Sequence, residues 1–162
     1  MTADQFNTCV NSHSDALFRF AMKNLKDYDE AMEIVQSSFE KLWLKRNDVD
    51  YERVKSYLFA TAYNAMVDYW RRNKRMVEMG DEVQNRPAEN NKEYTGLKKI
   101  LENALSKLPE IQRTVILLRD YEGYSYDEIG EITNLNESQV KVYIFRARQT
   151  LKTMLGNLEA LL

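Results

Sequence analysis

Residues 125–152 read SYDEIGEITNLNESQVKVYIFRARQTLK, a run that carries two helix starts with a break between them. Ser125 followed three residues later by Glu128 predicts a capping box, with Ile129 and Ile132 as the apolar side of a short helix. Asn134, Leu135 and Asn136 interrupt it, and Asn136 with Gln139 offers a second cap. Val140, Ile144, Ala147 and Leu151 then recur at helical spacing. Lys141, Arg146, Arg148 and Lys152 share that second helix with no acid among them. Two helices joined by a tight turn, the second of them basic, form the pattern of a DNA-binding helix-turn-helix.

Projection at about 100° per residue puts the apolar positions of the second helix on one side. Lys141, Arg148 and Lys152 fall on one flank and Arg146 and Gln139 on the other, while Ser138, Val142 and Gln149 point away from the core. Such a helix suits a DNA groove. Lys141, Arg146 and Arg148 are expected to hold phosphates, and Ser138, Gln139 and Val142 to meet base edges. The competing reading is a solvated helix face. The second cap, the turn spacing and the absence of acids weigh against it.

Composition bounds the remaining possibilities. With 162 residues, 44% hydrophobic and 30% charged, the chain can fill one core or two small ones and is too apolar to be disordered. Its formal net charge of -2 excludes a uniformly basic nucleic-acid coat. The distribution is uneven: Arg53 to Arg75 holds six bases and one acid, whereas Pro109 to Val140 holds seven acids and two bases. Local basic surfaces on an acidic body imply a nucleic-acid partner of limited footprint, or a second protein that supplies affinity. Cys9 is the only cysteine, so no intrachain disulfide is possible. No apolar run approaches the roughly 20 residues needed to span a bilayer. A cytoplasmic protein without membrane insertion is expected.

Toward the amino end, Ser14 can cap a helix carrying Leu17, Phe18, Ala21 and Leu25. Asp27 and Glu30 offer another capping box before Ala31, Ile34, Val35, Phe39, Leu42 and Trp43, on a helix reaching about Arg46. A third helix starts near Arg53, continues through Leu58, Ala62, Ala65 and Tyr69, and runs out in Arg71-Arg72-Asn73-Lys74-Arg75. Met76 to Thr95 lacks periodicity and contains Gly80 and Pro87, the composition of a linker. Helical spacing resumes at Gly96 with Leu97, Ile100, Leu101, Ala104, Leu105 and Leu108, and Pro109 can open a further helix that Gly123 ends. The expected fold is all-α: two small helical domains, 1–75 and 96–162, joined by a 76–95 linker.

Catalytic chemistry is scarce. His13 is the single histidine and sits near the amino end, no Cys/His cluster offers a metal site, and no glycine-rich phosphate loop follows a strand. Glu30, Glu33 and Glu40 share one helix without matching acid and histidine motifs on its neighbours, so solvated carboxylates are the simpler reading. No enzyme, cofactor or metal is expected. The third helix is richer. Tyr57, Tyr63, Tyr69 and Trp70 interleave with Asn64, Asp68, Arg71 and Arg72. Rings can stack on unpaired bases, Asn can hydrogen-bond a base edge and Arg can hold phosphate, although Tyr57 and Tyr69 serve equally well as packing residues.

These blocks together resemble a sigma factor of the extracytoplasmic-function (ECF) type in the sigma-70 family, which retains regions 2 and 4. Leu17-Phe18-Arg19-Phe20-Ala21 resembles the start of region 2, and Ala31-Met32-Glu33-Ile34-Val35-Gln36-Ser37-Ser38-Phe39 resembles the signature that docks on the polymerase clamp helices. Ser56 to Asn64 with Asp68-Tyr69-Trp70-Arg71-Arg72 resembles the promoter-melting and minus-10 helix. Leu108-Pro109, Tyr126-Asp127-Glu128-Ile129, Glu137-Ser138-Gln139-Val140-Lys141 and Arg146-Ala147-Arg148 match region 4 in order. Many relatives have Gln-Glu-Thr-Phe where this chain has Gln36-Ser37-Ser38-Phe39, and Tyr57 replaces the usual tryptophan. Val142 and Tyr143 stand where relatives often carry a small polar and a basic residue, and Phe145 is expected to be exposed.

The resemblance implies promoter selection rather than catalysis, with core RNA polymerase and promoter DNA as partners and an anti-sigma factor as a further candidate. Glu33, Gln36 and Phe39 would bind core polymerase. Tyr57, Asn64, Asp68, Trp70, Arg71 and Arg72 would hold the opened minus-10 element. Ser138, Gln139, Lys141, Val142, Arg146 and Arg148 would read the minus-35 duplex. Two tethered contacts raise each other's effective concentration when promoter spacing matches the span that polymerase sets. A stand-alone helix-turn-helix regulator would explain the terminal motif but not the third helix, and a helical interaction or anti-sigma-like protein would leave the basic face idle.

Overall fold

The computed structural model describes residues 1–80 and 96–159, with side chains through 156. Among the described residues all regular structure is helical. Helices α1 (Ala3–Leu25), α2 (Tyr28–Leu44) and α3 (Val54–Glu78) belong to one compact unit; α4 (Gly96–Ser106), α5 (Glu110–Ile116), α6 (Tyr126–Thr133) and α7 (Glu137–Glu159) belong to a second. Most of the expected linker, from residue 81 to 95, lies outside the described residues, and its first three residues, Met76 to Glu78, continue α3.

In the first unit all three helices turn their apolar stripes inward. Leu17, Phe20, Ala21 and Leu25 of α1 meet Ala31, Ile34 and Leu42 of α2 and Leu58, Phe59, Ala62 and Met66 of α3, all buried. Phe20 and Phe59 pack with ring centroids 5.1 Å apart. Helix α1 starts earlier than the Ser14 cap suggested. Thr2 makes the cap, its Oγ1 accepting the Gln5 N–H at 3.1 Å while Gln5 Oε1 accepts the Thr2 N–H at 2.9 Å. Ser14 instead lies mid-helix, its hydroxyl donating to the Val10 carbonyl one turn back, an alternative open to any serine inside a helix. His13, on the same helix, is half-buried rather than at a loose end, and burial with nearby Lys55 lowers its pKa.

The α1–α2 turn takes two residues. Lys26 adopts φ 53°, and Asp27 caps α2 by accepting the Glu30 N–H at 3.2 Å, a one-way cap rather than the expected box because the Glu30 carboxylate turns to Arg72. The other oxygen of Asp27 accepts the Tyr69 hydroxyl of α3 at 3.1 Å. One carboxylate therefore fixes the start of α2 to the middle of the third helix. A single 3-10 turn, Tyr51–Arg53, leads into α3.

In the second unit Arg113 is buried and donates to the carbonyls of Leu108, at 3.1 Å, and Ser106, at 3.4 Å, at the end of α4. Its guanidinium satisfies acceptors that a helix end leaves open. Pro109 stands just before α5 rather than inside its first turn. Helix α5 passes into a π-helical turn, Leu117–Tyr121, before Gly123 reverses the chain at φ 76°.

Helices α6 and α7 make the helix-turn-helix. Ser125 and Glu128 form the expected reciprocal cap at 3.2 and 3.0 Å. Asn134 closes α6 at φ 61°, a left-handed conformation that asparagine tolerates, and the Leu135 N–H reaches back to the Gly130 carbonyl at 3.1 Å. A Cβ at residue 130 would lie 2.7 Å from the Leu135 carbonyl oxygen, inside contact distance with backbone on both sides. Only glycine fits there without a shift. Gly130→Ala is therefore expected to destabilise this unit by about 1–3 kcal/mol. Thermal unfolding of the full chain checks it, and an unchanged midpoint would show that the turn relaxes without cost.

Candidate nucleic-acid interface

Tyr57, Asn64, Asp68 and Arg71 of α3 recur at intervals of seven, four and three, which sets them along one stripe. Asn64, Asp68 and Arg71 are exposed and Tyr57 is half-exposed. Tyr63 and Trp70 form a half-exposed aromatic flank, and Arg72 stands on the other flank. Among the described residues the Asn64 carboxamide makes no hydrogen bond, so both its donor and its acceptor face solvent. Tyr69 separates from this set: it is buried, and its hydroxyl is committed to Asp27. Asp68 pairs with Arg71 at 3.7 Å, not with Arg72. Arg72 instead reaches Glu30 on α2 at 3.3 Å. Burial, and then the neighbouring Glu33, raise the Glu30 pKa, and Arg72 opposes them.

On α7 the core stripe of Val140, Ile144 and Ala147 is buried, as periodicity predicts, and Ser138, Gln139, Lys141, Val142, Arg146 and Arg148 are all exposed. Three of these side chains have internal partners. Gln139 Oε1 accepts the Asn136 N–H at 3.0 Å while its own N–H reaches Asn136 Oδ1 at 2.8 Å, a reciprocal cap. A two-sided contact to adenine needs both ends of the carboxamide, and the cap already engages the Oε1 end of Gln139. Lys141 pairs with Glu137 at 3.1 Å. Arg148 Nη2 donates to Asp120 at 2.8 Å, and this hydrogen bond raises the guanidinium pKa. Among the described residues Arg146 pairs with no acid.

Sequence reasoning missed the surroundings of Tyr126. The Arg119 guanidinium lies 4.7 Å from that ring and donates to the Tyr124 carbonyl at 2.9 Å, and Lys141 approaches the same ring at 5.8 Å. Arg119, at the end of α5's extension, thus joins the basic side of the helix-turn-helix. Its isolated position in an acidic stretch carried no periodic signal.

The clamp-facing candidates sit on α2. Glu33 and Gln36 are exposed, and Gln36 Nε2 donates to Glu40 at 3.4 Å. Phe39 is only 7% exposed, because Phe6 of α1 meets it edge-on with centroids 6.3 Å apart. Its edge nevertheless lines an apolar groove of about 720 Å³ with Phe6, Val10, Trp43 and Leu44, rimmed by Gln36 and Glu40.

A basic helix-turn-helix on one unit and an aromatic, amide and cationic helix on another define a two-module DNA-binding protein. Residues 9–76 match sigma-70 region 2 and residues 98–151 match sigma-70 region 4. The chain is 30% identical over 152 residues to the RNA polymerase sigma factor SigV of Bacillus subtilis, covering 91% of this chain and 89% of SigV. It is 29% identical over 159 residues to the ECF sigma factor SigM of the same organism, covering 95% of each. The sigma factor RpoE of Bartonella quintana, solved with the anti-sigma factor NepR, superposes with a TM-score of 0.82 at 26% identity, over 93% of this chain and 96% of that one. The chain belongs to the sigma-70 family and is a sigma factor of the ECF type. It binds core RNA polymerase and directs promoter-specific initiation through the minus-10 and minus-35 elements. A stand-alone regulator leaves the region 2 match unexplained.

Asp120 holds the Arg148 guanidinium that a DNA phosphate would need. Asp120→Asn should therefore raise duplex affinity of the polymerase-bound protein by about 2- to 5-fold at low salt, the scale of one exposed ion pair, without changing base preference. Fluorescence anisotropy at two salt concentrations measures this; equal affinities at both would mean that Arg148 does not touch DNA.

Proposed function

We propose that the two recognition tasks divide between the units. Residues 1–75 would serve as the region 2-like module, 96–162 as the region 4-like module, and 76–95 as the linker. The single observation that carries this division is the α3 stripe: an unpartnered Asn64 beside half-exposed rings and terminal arginines. Unpaired bases need that combination, whereas duplex phosphates need only the cations.

In this reading Asn64 hydrogen-bonds a displaced non-template minus-10 base, and Tyr57 and Trp70 supply ring faces. Arg71 and Arg72 exchange Asp68 and Glu30 for the strand's phosphates, leaving Asp68 as a further polar contact. On α7, Ser138 and the Gln139 Nε2 donors meet base edges with Val142 between them, while Lys141, Arg146 and Arg148 hold the minus-35 backbone. Arg119 and Tyr126 extend that grip along the first helix of the motif. Glu33 and Gln36 face core polymerase, and Phe39 contributes its edge at the groove floor. The role is binding, with no reaction of its own, and it is carried out in the cytoplasm, where core polymerase works.

An anti-sigma factor is a further partner in this proposal. RpoE was solved with the anti-sigma factor NepR, and CnrH, similar at a TM-score of 0.69 and 26% identity, was solved with the cytosolic domain of CnrY. A protein covering α2 or α7 would block polymerase or DNA directly.

Two variants test the assignment. Glu33→Lys is expected to weaken assembly with core polymerase about 10-fold, the effect of removing one interfacial charge and adding its opposite, while the circular-dichroism melt stays unchanged. Normal assembly in a pull-down would remove Glu33 from the interface. Asn64→Ala should leave assembly intact and reduce discrimination at one minus-10 base about 5- to 30-fold, equivalent to ~1–2 kcal/mol of hydrogen bonding. Binding to minus-10 single strands carrying each base in turn gives the answer. Intact preference at every base would assign Asn64 no reading role.

A further inference from the structure

We propose that the middle of the recognition helix reads thymine methyl groups, through Val142 and Phe145. The inference rests on α7 as the minus-35 helix and names the base chemistry it selects. Ser138, Val142, Phe145 and Gln149 recur at intervals of four, three and four, the same spacing as the core stripe Val140, Ile144, Ala147 and Leu151 displaced by two residues. Two residues are about 200° of helix, so the first stripe faces directly away from the core. Ser138 and Gln149, its polar ends, are exposed. Val142 and Phe145, its centre, are 43% and 62% exposed. An isolated apolar surface residue needs no explanation, but two adjacent ones centred on a DNA-facing helix do.

The flanks identify what covers them. Lys141 and Arg148 stand on one side of the stripe and Arg146 on the other, and no acid occurs from Ser138 to Lys152. An apolar strip between two cationic edges complements a major groove, whose walls are phosphate and whose only apolar group is the C5-methyl of thymine. Spacing agrees as well. Three residues of helix rise about 4.5 Å, against ~3.4 Å per base step, so the two side chains reach the same or neighbouring pairs. Hydrogen-bonding side chains on this stripe are confined to its ends, Ser138 and Gln149, and its centre offers none. Methyl contact supplies discrimination that needs no such bond.

The test uses holoenzyme reconstituted from the full chain and core polymerase. Duplexes are selected from a library randomised across the minus-35 element, and each thymine of the best duplex is then replaced by deoxyuridine, which lacks only the methyl group. Selection is expected to fix at least one T·A pair, and its uridine form should bind about 3- to 5-fold more weakly, the value of one buried methyl. Phe145→Ala and Val142→Ser should assemble normally with core, and at least one of them should bind the two forms equally. Selection without an enriched thymine, indifference to uridine at every position, or undiminished discrimination in both variants would overturn the proposal. Undiminished discrimination would leave the apolar stripe to a protein partner. An assembled holoenzyme that selects no minus-35 sequence at all would overturn the reading of α7 itself.

Discussion

The carbonyl oxygen of Leu135 occupies the space where a side chain on residue 130 would begin, 2.7 Å from an ideal Cβ. The outward face of α7, the proposed DNA contact, depends on that approach. It lets the backbone leaving α6 fold back against the helix it has just completed, so that three residues, Asn134 to Asn136, suffice for the turn. With so short a connection α7 has little freedom to rotate about its axis, and burial of Val140, Ile144 and Ala147 removes what remains. The outward stripe is a consequence of the inward one. Two reciprocal caps, Ser125 with Glu128 and Asn136 with Gln139, set where each helix begins.

In the first unit Asp27 has the corresponding role. One oxygen caps α2 and the other holds Tyr69, whose pKa burial raises. Glu30 and Arg72 make a second link one turn along each helix. Helices α2 and α3, the proposed polymerase and strand contacts, therefore share a joint made of two side-chain links. Phe6 extends the packing at the opposite end, meeting Phe39 and Trp43 at 6.3 and 5.0 Å.

Arg71, Arg72, Lys141 and Arg148 each have an internal acid within 4 Å: Asp68, Glu30, Glu137 and Asp120. Exposed pairs of this kind contribute about 0–1 kcal/mol each, so phosphates can replace the acids at small cost. Until they do, the cations are partly neutralised on a chain of net charge -2. Weak intrinsic attraction to DNA follows. Such a protein gains specificity by borrowing affinity from the polymerase that positions it.

Helix starts and faces were legible in the sequence because they are local. Caps span three residues and apolar stripes repeat every three or four, so the Ser125–Glu128 box, the Asp27 cap and the Val140, Ile144 and Ala147 series all appear in the chain before it folds, although the Glu30 carboxylate expected to complete a box at Asp27 turns to Arg72 instead. Locality also has limits, as Ser14 shows: a serine can cap a helix or bond back within one, and only the earlier cap at Thr2 settles the choice. The identities of the candidate DNA contacts were equally visible. Their free or occupied state was not. Arg148 meets Asp120 across 28 positions and Arg72 meets Glu30 across 42, and Arg119 reaches the Tyr126 ring only after the chain turns at Gly123. Those distances come from packing between helices, which fixes side chains remote in sequence within a few ångströms, and a charge's availability to DNA depends on that proximity.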